Sequence, residues 1–208
     1  QRLTEYNFKV DSLKSCSEKI INTTYIFEDH LISGSIERIK DINVIPSPYL
    51  TGALDEFFKL PLIPMIETTR GCPFRCSFCA DGLESKNRVH RYDLQRTKDE
   101  LEYIGKRVQG VDELIVTDLN FGMYKADLIT AKKIAQIKSE TGYPLSFWGT
   151  AGKNKPERTI QVTNIIDEKG MIGAALQSTD PEVLSAIKRS NISIDKYFEI
   201  TSYGKEKG

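Results

Sequence analysis

An α/β fold built from repeated strand-helix units is predicted for most of this chain, and three observations predict it. From Leu60 onward, short apolar runs alternate with amphipathic helical stretches four times over. Chemically distinctive residues fall just after each apolar run, where α/β proteins place their ligands. A proline-bearing break, Ile45-Pro-Ser-Pro-Tyr-Leu-Thr-Gly52, separates this repeating part from a stretch of different character. Strands joined by helical crossovers lie parallel, and such a series makes either a doubly wound sheet or a (β/α) barrel.

Each element has its own signal. Residues 1–59 mix polar segments with β-branched pieces such as Lys19-Ile-Ile-Asn-Thr-Thr-Tyr-Ile-Phe27, which favour strand and give a small α/β or irregular connector. The two prolines of residues 45–52 bar regular structure, so a domain boundary is expected near 59, with residues 60–208 as the core. Leu62-Ile-Pro-Met-Ile-Glu67 is the first core strand, with Pro64 marking an irregular or edge position. Leu94, Leu101, Ile104 and Val108 then recur at helical spacing.

Glu113-Leu-Ile-Val-Thr-Asp118 is the second strand, followed by a helix carrying Leu128, Ala131, Ile134, Ala135 and Ile137. Leu145-Ser-Phe-Trp-Gly149 is the third, with Trp148 expected in the core; its helix has Pro156 in the first turn and Gly170 where helices stop. Met171-Ile-Gly-Ala-Ala-Leu-Gln177 is the fourth, and Thr179 or Asp180 caps the helix opened by Pro181 and Glu182.

With 29 basic and 29 acidic side chains in 208 residues, the chain has no overall field that would draw it to nucleic acid. No run approaches the roughly 20 apolar residues of a membrane helix, and the N-terminus lacks a signal-peptide core, so a cytoplasmic protein is expected. Three of the four cysteines crowd into eight positions, which favours metal ligation over disulfides.

Those three are Cys72, Cys76 and Cys79, in the loop Glu67-Thr-Thr-Arg-Gly-Cys-Pro-Phe-Arg-Cys-Ser-Phe-Cys-Ala-Asp-Gly82 directly after the first strand. A closed zinc site wants four ligands, which His90 or Cys16 would have to complete from unusual spacings. An iron-sulfur cluster on three thiolates instead keeps one iron open for a small molecule. Gly71 permits close backbone approach, and Arg70 and Arg75 would offset the negative charge of such a cluster.

The spacing C-x-x-x-C-x-x-C after a first strand, with Phe78 before the last cysteine, resembles the signature of the radical S-adenosylmethionine (radical SAM) enzymes. That resemblance implies a partial (β/α) barrel. It also implies a 4Fe-4S cluster on Cys72, Cys76 and Cys79, with S-adenosylmethionine on the open iron, cleaved reductively to a 5′-deoxyadenosyl radical. A small-molecule or biosynthetic-intermediate substrate and an electron donor such as flavodoxin or ferredoxin follow from it. The linker with Leu54-Asp-Glu-Phe-Phe58, Thr117-Asp-Leu-Asn-Phe-Gly122, Thr150-Ala-Gly-Lys-Asn-Lys155 and Ala175-Leu-Gln-Ser-Thr-Asp-Pro-Glu-Val-Leu184 look like the cobalamin-associated branch. There a cobalamin-binding domain precedes the barrel, methyl transfer is one reaction option, and residues 1–59 would be its tail or connector.

The same resemblance marks cofactor-binding candidates. Thr117, Asp118, Asn120 and Gly122 stand where relatives carry a Gly-Gly-Glu type motif for the amino group of S-adenosylmethionine; the glycine pair is absent, and Asp118 could instead cap the neighbouring loop. Gln177 and Ser178 stand where relatives have Glu-Ser, with a neutral amide in place of the charge. Thr150 follows the third strand. Lys153 and Arg189 are candidate carboxylate partners, the ordinary alternative being solvated charge. Glu28-Asp-His-Leu-Ile-Ser-Gly34 fails the D-x-H-x-x-G cobalamin pattern on count, so His30 is expected to be a surface or turn residue. The start without Met and the end at Tyr203-Gly-Lys-Glu-Lys-Gly208 suggest an excerpt, with further strand-helix units expected beyond.

Overall fold

The computed structural model describes all residues except 1, 8, 16, 85, 153, 167–175 and 208. Two compact units emerge, residues 1–40 and residues 41–208. The first holds α1 (Arg2–Glu5), α2 (Val10–Lys14) and a hairpin of β1 (Thr24–Phe27) and β2 (His30–Ser33). Glu28 and Asp29 form its turn with φ of 47° and 59°, the two positive values that a two-residue hairpin loop of type I′ requires. Exposed His30 therefore opens β2, with Nδ1 2.6 Å from the Glu28 carbonyl.

The second unit is built on a parallel sheet in the order β3 (Met65–Ile66), β6 (Glu113–Phe121), β7 (Ser146–Ala151). Between β3 and β6 come β4 (Thr69–Arg70), β5 (His90–Arg91) and α3 (Leu94–Gly105). After β6 runs α4 (Lys125–Thr141), and after β7 run α5 (Pro156–Ile166), α6 (Pro181–Ala186) and α7 (Ile194–Lys207). Asp93 caps α3, accepting from the Gln95 and Arg96 amides, and Asp180 rather than Thr179 caps α6. The expected fourth strand lies outside the described residues for most of its length.

One core binds the three helices to a single face of the sheet. Leu101 and Ile104 of α3, Ala131, Ile134 and Ile137 of α4, and Val162 and Ile166 of α5 pack with Ile66, Leu114, Val116 and Phe121. In a doubly wound sheet helices cover both faces, whereas in a barrel they form only the outer ring. Among the described residues the opposite face is left uncovered: Met65, Ile115 and Trp148 stand in one register row, with Met65 55% and Trp148 46% exposed. Trp148 is therefore not a core residue. Strand alternation turns Phe147 toward the helices and its neighbour to the other side.

β3 is shorter than its apolar run and forms the edge of the described sheet, as Pro64 indicated. Its outward backbone groups are satisfied by one side chain. The Tyr49 hydroxyl donates to the Met65 carbonyl at 2.8 Å and accepts from its amide at 3.1 Å. Tyr49 is buried and packs on Phe58, so residues 41–59 dock onto this edge and cover it.

Candidate metal and cofactor site

The three cysteines lie on one excursion. β4 pairs antiparallel with β5, and residues 71–89 loop out between them. Gly71 turns the chain out of β4 with φ +98°, and a Cβ there would stand 2.1 Å from the Arg88 carbonyl oxygen across the ribbon. Gly82 closes the cysteine turn, where a Cβ would meet the Cys76 carbonyl oxygen at 2.3 Å. Within the turn the Cys79 amide donates to the Cys76 carbonyl at 3.1 Å, and the Gly82 amide to that of Cys79 at 3.0 Å. All three thiols are free, Cys76 buried and the others half-buried.

Sulfur donors alone fit an iron-sulfur cluster, since thiolate is the ligand such clusters take and each cysteine then serves its own iron. A single zinc ion would instead draw its ligands to within about 2.3 Å of one point. Among the described residues, no three His, Cys, Asp or Glu side chains, the three cysteines included, are grouped closely enough to hold a metal ion. His90 pairs within the ribbon, its Cα partner being Arg70, while Cys16 lies outside the described residues.

β6 secures the loop through two buried side chains near its end, where the register with β7 shifts between Val116 and Phe121. Asp118, 1% exposed, has every oxygen engaged: Oδ1 accepts from the Thr68 and Thr69 amides at 2.6 and 3.1 Å, and Oδ2 from both hydroxyls at 2.5 Å. Those threonines carry the chain into the cysteine loop. Asn120, two residues on and equally inward, donates from Nδ2 to Cys72 Sγ at 3.4 Å. Both were expected as acceptors for an ammonium group; in the fold, Asp118 anchors the loop base and the Asn120 amide faces a thiol.

A third tie comes from Asp127 in the first turn of α4. It accepts from the Gly122 and Tyr124 amides at 2.9 and 2.8 Å and pairs with Arg91 of β5 at 3.0 Å. Gly122 thus contributes its amide to the loop after β6. Burial raises the Asp127 carboxyl above the ordinary range, with Tyr124 and Arg91 opposing. Its proton is therefore bound more tightly in the folded chain than in the unfolded one, so this contribution to stability is full below about pH 4 and is lost as pH rises through the raised value. The difference in Tm between the parent and Asp127→Asn, followed upward from pH 4, is expected to move against the parent. A flat difference would show that Arg91 and the amides fully offset burial.

The remaining candidates divide by strand parity. Thr117 and Thr150 are exposed; Thr117 alternates with the core-facing Val116 and Asp118, and so lies on the uncovered side with Ile115. Thr117 also lines a cavity of about 340 Å³ at the end of β3, with Ile45, Pro48, Glu67, Arg70 and Tyr92. Arg70 is paired there with Glu67, both guanidinium contacts to Glu67 Oε2 being 3.0 Å or shorter, so its charge is already matched. Lys153 lies outside the described residues.

Gln177 and Ser178 meet the cysteine loop through residues 187–191. Gln177 is exposed at φ +64°, in a tight turn closed by the Ser178 amide on the Leu176 carbonyl at 2.8 Å. Asn191 Nδ2 donates to both flanking carbonyls, Leu176 at 2.7 Å and Ser178 at 2.8 Å. Arg189 is buried rather than solvated; it donates to Asn191 and lies 5.9 Å from the exposed Phe78 ring. The Ser77 amide donates to the Ile187 carbonyl. Nothing in the sequence singled out Asn191, because its partners are backbone groups 13 and 15 residues away.

A one-faced layer of helices on an in-order parallel sheet, with a three-cysteine loop at the strand ends, defines a partial (β/α) barrel of the radical SAM class. The sequence profile of the Radical SAM superfamily matches residues 66–208, and the chain belongs to that superfamily. It is 30% identical over 176 residues to the cobalamin-dependent radical SAM methyltransferase TokK of Streptomyces tokunonensis, covering 80% of this chain and 26% of that protein. It is 32% identical over 170 residues to 2-(S-pantetheinyl)-carbapenam-3-carboxylate methyltransferase of Streptantibioticus cattleyicolor, covering 77% and 25%. The chain thus spans about a quarter of the length of these curated relatives.

Solved structures share the fold. The radical S-adenosylmethionine methyltransferase TsrM from Kitasatospora setae, solved with tryptophan and a SAM analogue, superposes with TM-score 0.65 at 16% identity over 100% of this chain and 42% of its own. The cobalamin-dependent enzyme OxsB, solved with aqua-cobalamin and S-adenosylmethionine, gives 0.60 at 16% identity over 92% and 29%. Two of these relatives, TokK and OxsB, are cobalamin-dependent, as is the branch that the linker and strand-end motifs resemble. No described helix is long and apolar enough to cross a membrane.

Proposed function

We propose that this chain forms the cofactor-binding part of a radical SAM enzyme acting on a small molecule, with cobalamin-dependent methyl transfer as its reaction class. The observation that carries the reading is the three-cysteine excursion, tied by Asp118, Asn120 and Asp127 to the strand ends beside an uncovered sheet face. Cys72, Cys76 and Cys79 would hold the 4Fe-4S cluster, which when bound supplies the electron that cleaves S-adenosylmethionine. The methyl-transfer class draws on the names of the two relatives near 30% identity.

The chain's own residues supply position and exclusion. The ribbon holds the backbone of the cysteine loop at its two ends, and Asn120 holds one of its sulfurs, which would lower the ordering cost of assembly. Thr150 offers a hydroxyl, Thr117 one that donates to the Ile66 carbonyl at 3.1 Å, and Ser178, whose carbonyl accepts from Asn191, one that accepts from the Asp180 amide at 3.1 Å. Residues 1–59 would serve as connector or tail of an upstream cobalamin-binding type domain, and residues 60–208 as the first part of the barrel. An electron donor of the flavodoxin or ferredoxin kind would dock within reach of the cysteine loop.

Because the open iron has no protein ligand in this reading, S-adenosylmethionine is expected to change the electron paramagnetic resonance spectrum of the reduced, anaerobically reconstituted chain. A spectrum unaltered at saturating S-adenosylmethionine would sink the reading.

A further inference from the structure

We propose that Asn120 is a positioning residue for the cluster, one that orients Cys72 and makes the cluster easier to reduce; this rests on the three-thiolate reading above. Its Nδ2 lies 3.4 Å from Cys72 Sγ, within hydrogen-bond reach of sulfur, and the residue is 5% exposed. Among the described residues no other side chain donates to any of the three sulfurs. The donor is therefore specific to one cysteine of the set.

The backbone that carries that amide is held from several sides. The Asn120 carbonyl accepts from the Met123 amide at 3.2 Å, and the Phe121 carbonyl accepts from Gly152 at 2.9 Å, locking the end of β6 against the end of β7. Gly152 has no Cβ, and one there would lie 3.2 Å from the Asn120 oxygen, tighter than ordinary contact. Two residues earlier, Asp118 pins the base of the same cysteine loop. These contacts hold the Asn120 backbone in place, and from there its amide reaches the sulfur.

An N–H aimed at a ligating sulfur stabilises the negative charge that reduction adds, and hydrogen bonds to the sulfurs are among the factors that set cluster potentials. Removing this donor leaves the iron count unaffected in principle but makes the electron harder to accept. A carboxylate in its place adds repulsion to the lost donor. Asn120→Ala and Asn120→Asp thus act in the same direction by different routes, the second with nearly the native shape.

The test is a redox titration of the anaerobically reconstituted chain, monitored by electron paramagnetic resonance, for the parent and both variants. At a poise where the parent is half reduced, the ratio of reduced to oxidised cluster is expected to fall about tenfold in Asn120→Ala, a shift of about 59 mV for one electron, and further in Asn120→Asp. Iron per chain should remain within a factor of two. Midpoints equal to the parent's, or more positive, overturn the proposal.

A measurement on the parent alone guards against variants that lose the cluster. With asparagine labelled by nitrogen-15 at the side-chain amide, pulsed electron paramagnetic resonance of the reduced cluster should detect a weak nitrogen coupling. Its absence overturns the proposal whatever the variants do. A parent chain that binds no iron overturns instead the three-thiolate reading on which this inference stands, so the two failures are distinguishable.

Discussion

Replacing Cys72, Cys76 or Cys79 by Ala is expected to abolish iron binding, each alone being sufficient, while Cys16→Ala leaves it unchanged. The three share one excursion between β4 and β5, and a cluster missing one of three thiolates has a second iron without a protein ligand, leaving only two attachments to the chain. Iron and acid-labile sulfide per chain after anaerobic reconstitution provide the measurement. Parent protein should approach four of each; the three loop variants should retain less than about a tenth, a margin of roughly 1.4 kcal/mol in assembly free energy or more. A Cys16 variant as poor as the others would mean that the ligand set has been misjudged.

Asp118→Ala should be the most damaging substitution outside the cysteines. Two backbone amides and two hydroxyls, all on buried Thr68 and Thr69, would lose their acceptor at once. Orphaned buried donors cost about 1–3 kcal/mol each and share the loss incompletely, so destabilisation on the order of 3–5 kcal/mol is expected. For a chain of this size that corresponds to a fall in Tm of roughly 10 °C. Asp118→Asn should cost markedly less, because its amide oxygen still accepts and the threonine hydroxyls can reverse to accept from its nitrogen. Thermal unfolding of both variants decides it: equal losses would show that charge, rather than the count of hydrogen bonds, holds the loop.

Much of this was legible in the sequence because it depends on local pattern. Helical periodicity located α3 and α4, whose buried stripes include residues that recur at three- and four-residue spacing, and Pro156 marked the first turn of α5. Cysteine spacing marked the candidate metal loop, since ligands for one cluster must be near one another in the chain if a single turn is to present them. Pro64 marked an edge strand because it lacks an amide donor.

Other features resisted, for reasons that can be named. Trp148 looked like core by composition, yet strand parity relative to Phe147 puts it on the uncovered face, and parity can be assigned only once the helix side is known. Arg189 looked like surface charge, yet Asn191 and the approach of residues 187–191 to the cysteine loop bury it. The roles of Asp118 and Asn120 turned on the same question of direction. An acidic and an amide side chain at a strand end satisfy a ligand or a neighbouring loop equally well on chemical grounds.

Sequence alone determined the order of the first three strand-helix units, the three-sulfur loop and the superfamily, all consequences of spacing along the chain. Only the tertiary structure decided which side of the sheet the helices cover, and hence that Thr117 faces the open side while Asp118 and Asn120 turn back to hold the cysteine loop. The physical reason is distance. Thr68 and Cys72 lie 50 and 48 residues from their partners on β6, and contacts across such separations are set by packing of the intervening helix, which no local pattern encodes.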